Sequence, residues 1–224
     1  MQHLPVYISL LFGITTLLSV LIFYRATHHS AITLITILIW LAFQGLIASS
    51  GFYTKTDTVP PRFMLLVLPP FILIMVLFLT RKGRKFLDQL DIKTLTILHT
   101  VRILVELVLF LLFLHKTVPK LMTFEGRNFD ILSGLTAPLI YVLAFKNNRI
   151  NKTVLLVWNF ICLGLLINIV VHAILSAPFP FQQLAFDQPN IAVLYFPFVW
   201  LPCCIVPLVL LAHLATIRKL FKLS

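Results

Sequence analysis

Apolar runs about twenty residues long recur along this chain, and that recurrence limits its fold more than any single motif does. Seven emerge, at residues 5–24, 31–50, 63–80, 94–114, 128–145, 153–174 and 191–214. A helix of about 20 apolar residues spans the ~30 Å hydrocarbon layer of a bilayer, whereas a helix on a soluble domain keeps one polar face. Composition agrees: 60% of the 224 residues are hydrophobic and 11% are charged, against about 25% charged in soluble domains. The expected fold class is all-α, a polytopic membrane protein of seven transmembrane helices with the lipid bilayer as its first partner. Residues 1–224 read as a single transmembrane domain.

The net charge of +11 would suit nucleic acid, but the basic residues sit in short loops between apolar runs and form no basic helix face. Nucleic acid is therefore not an expected partner. The loops instead set orientation. Twelve Lys and Arg residues fall on one side: Arg25, the group Arg81 to Lys93, the group Lys146, Arg149 and Lys152, and Arg218 to Lys222. Five fall on the other: Lys55, Arg62, Lys116, Lys120 and Arg127. Positive loops stay cytoplasmic, which predicts an N-terminus outside, a C-terminus in the cytoplasm and a multi-pass protein of the cell inner (plasma) membrane. The first run lacks a preceding basic residue and is longer than a signal-peptide core, so it reads as a span. The sequon at Asn151 then faces the cytoplasm and reads as unglycosylated.

A charge inside such a chain is costly, at least ~2.5–3.5 kcal/mol near mid-span. The fourth run, "LHTVRILVELVL", carries His99, Arg102 and Glu106, spaced by three and four residues and so on one helix face. From Thr94 the rise puts Arg102 about 12 Å deep and Glu106 about 18 Å. That face is expected to point into the bundle, with Arg102 reaching one turn along to Glu106. Arg102, Glu106, His99, Gln44 and Asn159 are the candidate substrate-binding residues. Thr15 and Thr136 lie at similar depth. The plainer alternative is an ion pair that fixes helix packing, with the amides as interhelical hydrogen bonds.

A second polar group, Glu125, Arg127 and Asp130 with Asn128, precedes the fifth run. With His172 and Asp187 it is expected to line an outer mouth, although acidic groups at a helix start are favoured by the helix dipole alone. Gly126 reads as conformational freedom for the turn before the helix. The connection 175–196 holds three prolines, five Phe or Tyr residues and the single charge Asp187. It is too apolar for a free loop and is expected to fold back over the outer end or lie at headgroup level.

No cofactor and no metal site is expected. Cys162, Cys203 and Cys204 show no ligand spacing, and the seven histidines form no HExxH or HxxxH pattern,. Only His99 and His213 could face each other at one level, as a bis-histidine haem requires. Nucleotide, nucleophile-elbow and other catalytic signatures are absent, so the chain leans away from enzyme chemistry.

Helices one and five share a pattern. At a shift of 121 residues Gly13, Thr15, Leu18 and Arg25 meet Gly134, Thr136, Leu139 and Lys146. Leu68-Pro69 and Leu201-Pro202 match at 133. Halves 5–80 and 128–214 about a linker helix at 94–114 would make a 3+1+3 parallel repeat. In topology alone this plan resembles SWEET-type transporters, which implies a transport role and carries over no residue. The general helix plan is similar to that of microbial rhodopsins, but the seventh run has no lysine for a retinal Schiff base. The stretches "FEGRNFDILSGLTAP" and "FPFQQLAFDQPNIAVLYFPFVWLP" resemble an uncharacterised family of small seven-helix bacterial inner-membrane proteins.

Three readings follow: a small-molecule carrier or ligand-binding protein, a lipid-modifying enzyme using Glu106 and His99 as acid and base, and a structural or accessory subunit. A wet cavity reaching Arg102 and Glu106 would mark the first, and a dry ion pair the third.

Overall fold

A computed structural model describes residues 4–146 and 150–222. Arg149, counted above among the basic loop residues, and His3, one of the seven histidines, lie outside them. The described residues form α1 (Val6–Ala26), α2 (Ala31–Ser49), α3 (Met64–Leu79), α4 (Arg81–Gln89), α5 (Ile92–Leu98), α6 (Val101–Leu114), α7 (Ile131–Ala144), α8 (Lys152–Leu175) and α9 (Val206–Lys222). No strand occurs among them. A π-helical turn, Leu201–Ile205, leads into α9.

Five segments are long and apolar enough to cross a bilayer: α1, α2, α5 continuing into α6, α8, and the π turn with α9. A sixth is reached if α3 and α4 count as one span, but the two are bent by 95°. The bend follows from the sequence. The apolar α3 ends at Arg81-Lys82, and Thr80 leaves the helical region (φ −88°, ψ 149°) while its hydroxyl accepts from Gly83 N. Charged α4 then turns away from the direction of α3. The fifth run yields the 14-residue α7, with a rise of about 21 Å, less than the hydrocarbon thickness.

Ser30, Asp91 and Asn151 cap the starts of α2, α5 and α8 through their side-chain oxygens. Asn151, the sequon residue, is thus a helix cap. The outer faces of α1, α2, α3, α7 and α8 leave large apolar side chains exposed, such as Ile32 and Leu139, as helices surrounded by lipid do.

Four prolines would leave carbonyls bare inside an apolar bundle. The face of α2 deals with two of them. Trp40 Nε1 donates to the Cys203 carbonyl at 2.9 Å, the acceptor that Pro207, four residues on, cannot serve. Gln44 Nε2, one turn along α2, reaches the Leu65 carbonyl at 3.4 Å, orphaned in the same way by Pro69. Gln44 Oε1 accepts from the buried Tyr53 hydroxyl.

The run expected as helix from 191 holds only a three-residue 3-10 turn, Ala192–Leu194, before it becomes continuously helical at Leu201. Residues 177–199 instead pack over one end of the bundle, with Ala177, Phe179, Val193, Leu194, Phe198 and Val199 buried. Gln188 Nε2 holds them down by donating to the Phe113 and Val118 carbonyls. Of the two courses its composition allowed, the apolar connection therefore takes the fold-back. The repeat gains no support from the matched glycines. A Cβ on Gly134 would lie 2.8 Å from Ile103 Cγ1, while one on Gly13 would meet nothing within 4 Å.

Candidate functional site: a polar core between α5–α6, α7, α8 and α9

The segment 115–130 does not stay at the surface. Val118, Met122, Thr123, Asn128 and Asp130 are buried, so the chain runs inward before α7 begins. Gly126 serves this by size: a Cβ there would lie 2.3 Å from the Lys120 carbonyl oxygen. No positive φ is needed at that glycine, so the sequence-based reason, turn freedom, gives way to close approach of backbone.

The inward course brings Asp130 to Arg102. Arg102 Nε donates to Asp130 Oδ2 at 2.6 Å, and Nη2 donates to Oδ1. This is the bidentate geometry that suits a guanidinium and a carboxylate. The partner of Arg102 is thus Asp130, not Glu106 as spacing along the helix suggested. Asp130 belongs to the centre and not to an outer mouth. Arg102 Nη1 also meets His213 Nε2 at 3.1 Å, and Nη2 lies 3.5 Å from the Cys162 carbonyl.

A guanidinium only donates, so His213 Nε2 accepts and the ring carries its proton on Nδ1. That proton goes to Asn159 Oδ1 at 2.8 Å. Asn159 Nδ2 in turn donates to the Leu155 carbonyl at 2.8 Å, which fixes the amide's orientation. His99 stacks on His213 with centroids 4.0 Å apart, and its ring meets Trp158 edge-on at 5.3 Å. The two histidines that could have flanked a haem are in contact with each other. Among the described residues no three His, Cys, Asp or Glu side chains converge as a metal-ligand set.

Glu106 joins from the other side. Asn128 Nδ2 donates to Glu106 Oε1 at 2.5 Å and to the Met122 carbonyl at 3.0 Å, while Asn128 Oδ1 accepts from Asp130 N at 3.0 Å. A continuous chain of hydrogen bonds therefore runs from Glu106 through Asn128, Asp130, Arg102 and His213 to Asn159. Two atoms on the α5–α6 face stand apart from it: Glu106 Oε2 and His99 Nδ1 are buried without a hydrogen-bond partner among the described residues.

Of the sequence candidates, Arg102, Glu106, His99 and Asn159 meet here, and Gln44 does not. Glu125 and Arg127 remain exposed, with Glu125 4.0 Å from Lys120. Asp187 is exposed, and His172 bonds back to its own helix at Asn168 O. Thr15 likewise bonds within α1, and Thr136 accepts from Trp158 Nε1 at 2.9 Å. Asn128 and His213 complete the core. The signal for His213 is the one that exposed Arg102, a costly polar side chain inside an apolar run.

Apolar spans, prolines with supplied donors and an ion pair sealed between helices define a polytopic helical membrane protein. The chain belongs to the family described as a domain of unknown function (DUF8737), whose pattern it matches over residues 60–221. That match covers both stretches of the resemblance and every member of the polar core. No curated protein and no solved structure matches the chain.

Proposed function

We propose that this is a seven-segment protein of the cell inner membrane, N-terminus outside, that binds a small polar molecule at its polar core as a carrier or receptor does. The observation that supports it is Glu106 Oε2, which is 2% exposed as part of its residue and unpartnered in a low-dielectric interior. Such an atom is costly to leave bare. His99 Nδ1, two turns back on the same face, is bare as well. Arg102 is held by Asp130 and anchors the site without being its contact point. A ligand with two hydroxyl or amine groups, spaced to match about 10 Å of helix rise, would satisfy both free atoms.

A second reading is a structural or accessory subunit, and one observation favours it. Every nitrogen of the Arg102 fork already has a partner, in Asp130, His213 or the Cys162 carbonyl, and neither the cleft between α2, α3 and α9 nor the smaller one beside Phe63 and Met122 is lined by Arg102, Glu106 or His99.

Thermal unfolding of the purified wild type, Glu106→Gln and Arg102→Met proteins, screened against sugars, organic anions and amines, separates the two. Ligand binding raises the wild-type Tm, by about 2.7 kcal/mol of stability at 100 times Kd, and Glu106→Gln loses that rise. If Glu106→Gln unfolds like wild type and no compound distinguishes them, the binding reading fails and the structural one stands.

A further inference from the structure

A cleft of about 200 Å³ lies between α2, α3 and α9, lined by none of Arg102, Glu106, His99 or His213. Ile37, Trp40, Leu73, Leu77 and Leu211 wall it, together with Pro69, Pro70 and Pro207. Prolines present no N–H, and the Cys203 carbonyl beside them is engaged by Trp40, so with Thr36, Cys203 and Cys204 as its only other polar-capable residues the wall is overwhelmingly apolar. Leu73 is 54% exposed, which opens the cleft sideways onto the apolar belt of the molecule.

Helix α4 packs against Leu77, at one end of the α3 wall. Gly83 sits so tightly on α3 that a Cβ would lie 2.4 Å from the Leu77 carbonyl oxygen. Asp88 accepts from Arg218 Nε at 3.1 Å and from Lys222, so α4 lies across the ends of both α3 and α9, two walls of the cleft. On either side of Gly83 stand Arg81, Lys82, Arg84 and Lys85. All four are exposed, and none joins an ion pair among the described residues. A neutral lipid would use the slot and ignore the cations. A soluble anion would use the cations and ignore the slot.

We propose that cleft and helix together are a binding site for an anionic glycerophospholipid, one acyl chain in the α2–α3–α9 cleft and the phosphodiester on the cations of α4. Native mass spectrometry of the full chain tests it, with phosphatidylglycerol and phosphatidylcholine of identical acyl chains offered in equal amounts. Wild type retains phosphatidylglycerol preferentially. Each cation near a membrane surface is worth about fivefold in attraction of an anionic headgroup, so Lys82→Gln/Arg84→Gln loses roughly 25-fold of that preference. Leu73→Trp, which fills the cleft from its exposed edge, lowers retention of both lipids. Equal retention of the two lipids by wild type overturns the proposal. So does undiminished phosphatidylglycerol retention by the double charge variant or by Leu73→Trp, or displacement of the lipid by inorganic phosphate alone.

Discussion

Arg102 on α6 grips Asp130 through two arms of its guanidinium, and that pair determines where α7 begins. Asp130 immediately precedes Ile131, the first residue of the helix. Its backbone N–H is held by Asn128, which also holds Glu106. Parts of the connection from α6, Thr117 to Pro119, Met122, Thr123 and Asn128, must therefore turn inward to deliver Asp130. The cost is a short helix of 14 residues. The gain is a buried cation with its carboxylate in place, the condition under which a charge is tolerated in hydrocarbon.

Arg102→Met and Asp130→Asn each leave the other partner buried and unmatched. Each should destabilise the protein by about 3–5 kcal/mol, and Arg102→Met/Asp130→Leu should recover a large part of that loss. Equilibrium unfolding in detergent measures all three. A cost below about 1 kcal/mol for either single variant would show that the pair carries no weight.

The donors from α2 to the proline-orphaned carbonyls predict a coupling. Trp40→Phe keeps one aromatic ring and removes the pyrrole ring with its N–H to the Cys203 carbonyl, with an expected cost of at least about 1–3 kcal/mol. In a Pro207→Ala background the new backbone N–H can serve that carbonyl, so the same change should cost visibly less. A double-mutant cycle with no coupling beyond about 0.5 kcal/mol refutes the assignment.

Three glycines that look alike in sequence should respond differently to alanine. Gly83→Ala and Gly126→Ala drive a Cβ to 2.4 and 2.3 Å from backbone oxygen, so each is expected to cost about 1–3 kcal/mol through displaced backbone. Gly13→Ala meets nothing within 4 Å and should be neutral, or stabilising by about 0.5–1 kcal/mol in a helix interior. Comparative melting of the three variants is the check.

Asp88, at the surface beside α9, gives a pH dependence. Partial burial raises its pKa, but hydrogen bonds from Lys222 and Arg218 and their charges outweigh this, leaving it below the usual carboxylate value. A group with a lowered folded pKa contributes stability in full above its unfolded value, about 3.9, and loses it as pH falls through the folded value. The attachment of α4 should therefore be constant from neutral pH down to about 4 and weaken below. Asp88→Asn should lose the attachment at every pH. Proteolytic nicking between α3 and α5, followed against pH, reads this out, and an Asp88→Asn profile identical to wild type would count against the clamp.

Part of the polar core was legible in one dimension. Arg102, Glu106 and His99 stand out because a charge or imidazole amid leucine and valine is expensive wherever the helix lies, and their spacing puts them on one face. Asn159 stands out for the same reason. Their partners did not follow from spacing. Glu106 is one turn from Arg102, yet Asn128 takes it. Asp130, polar and next to a helix start, looked like a residue favoured by the helix dipole at the surface. Gln44 was a site candidate by depth, but it serves a carbonyl that Pro69 leaves free.

The sequence by itself determined the class of molecule, the approximate limits of most helices, that the apolar connection 175–196 is no free loop, and the need for a sealed polar face on the fourth segment. These follow from transfer free energies and helical periodicity, which act locally. Only the tertiary structure decided which carboxylate answers Arg102, that α3 breaks at 95° into α4, and that α7 starts below the surface. Those choices depend on where the backbone can bring two distant groups within about 3 Å, and hydrogen-bond geometry across helices is not encoded in any one segment.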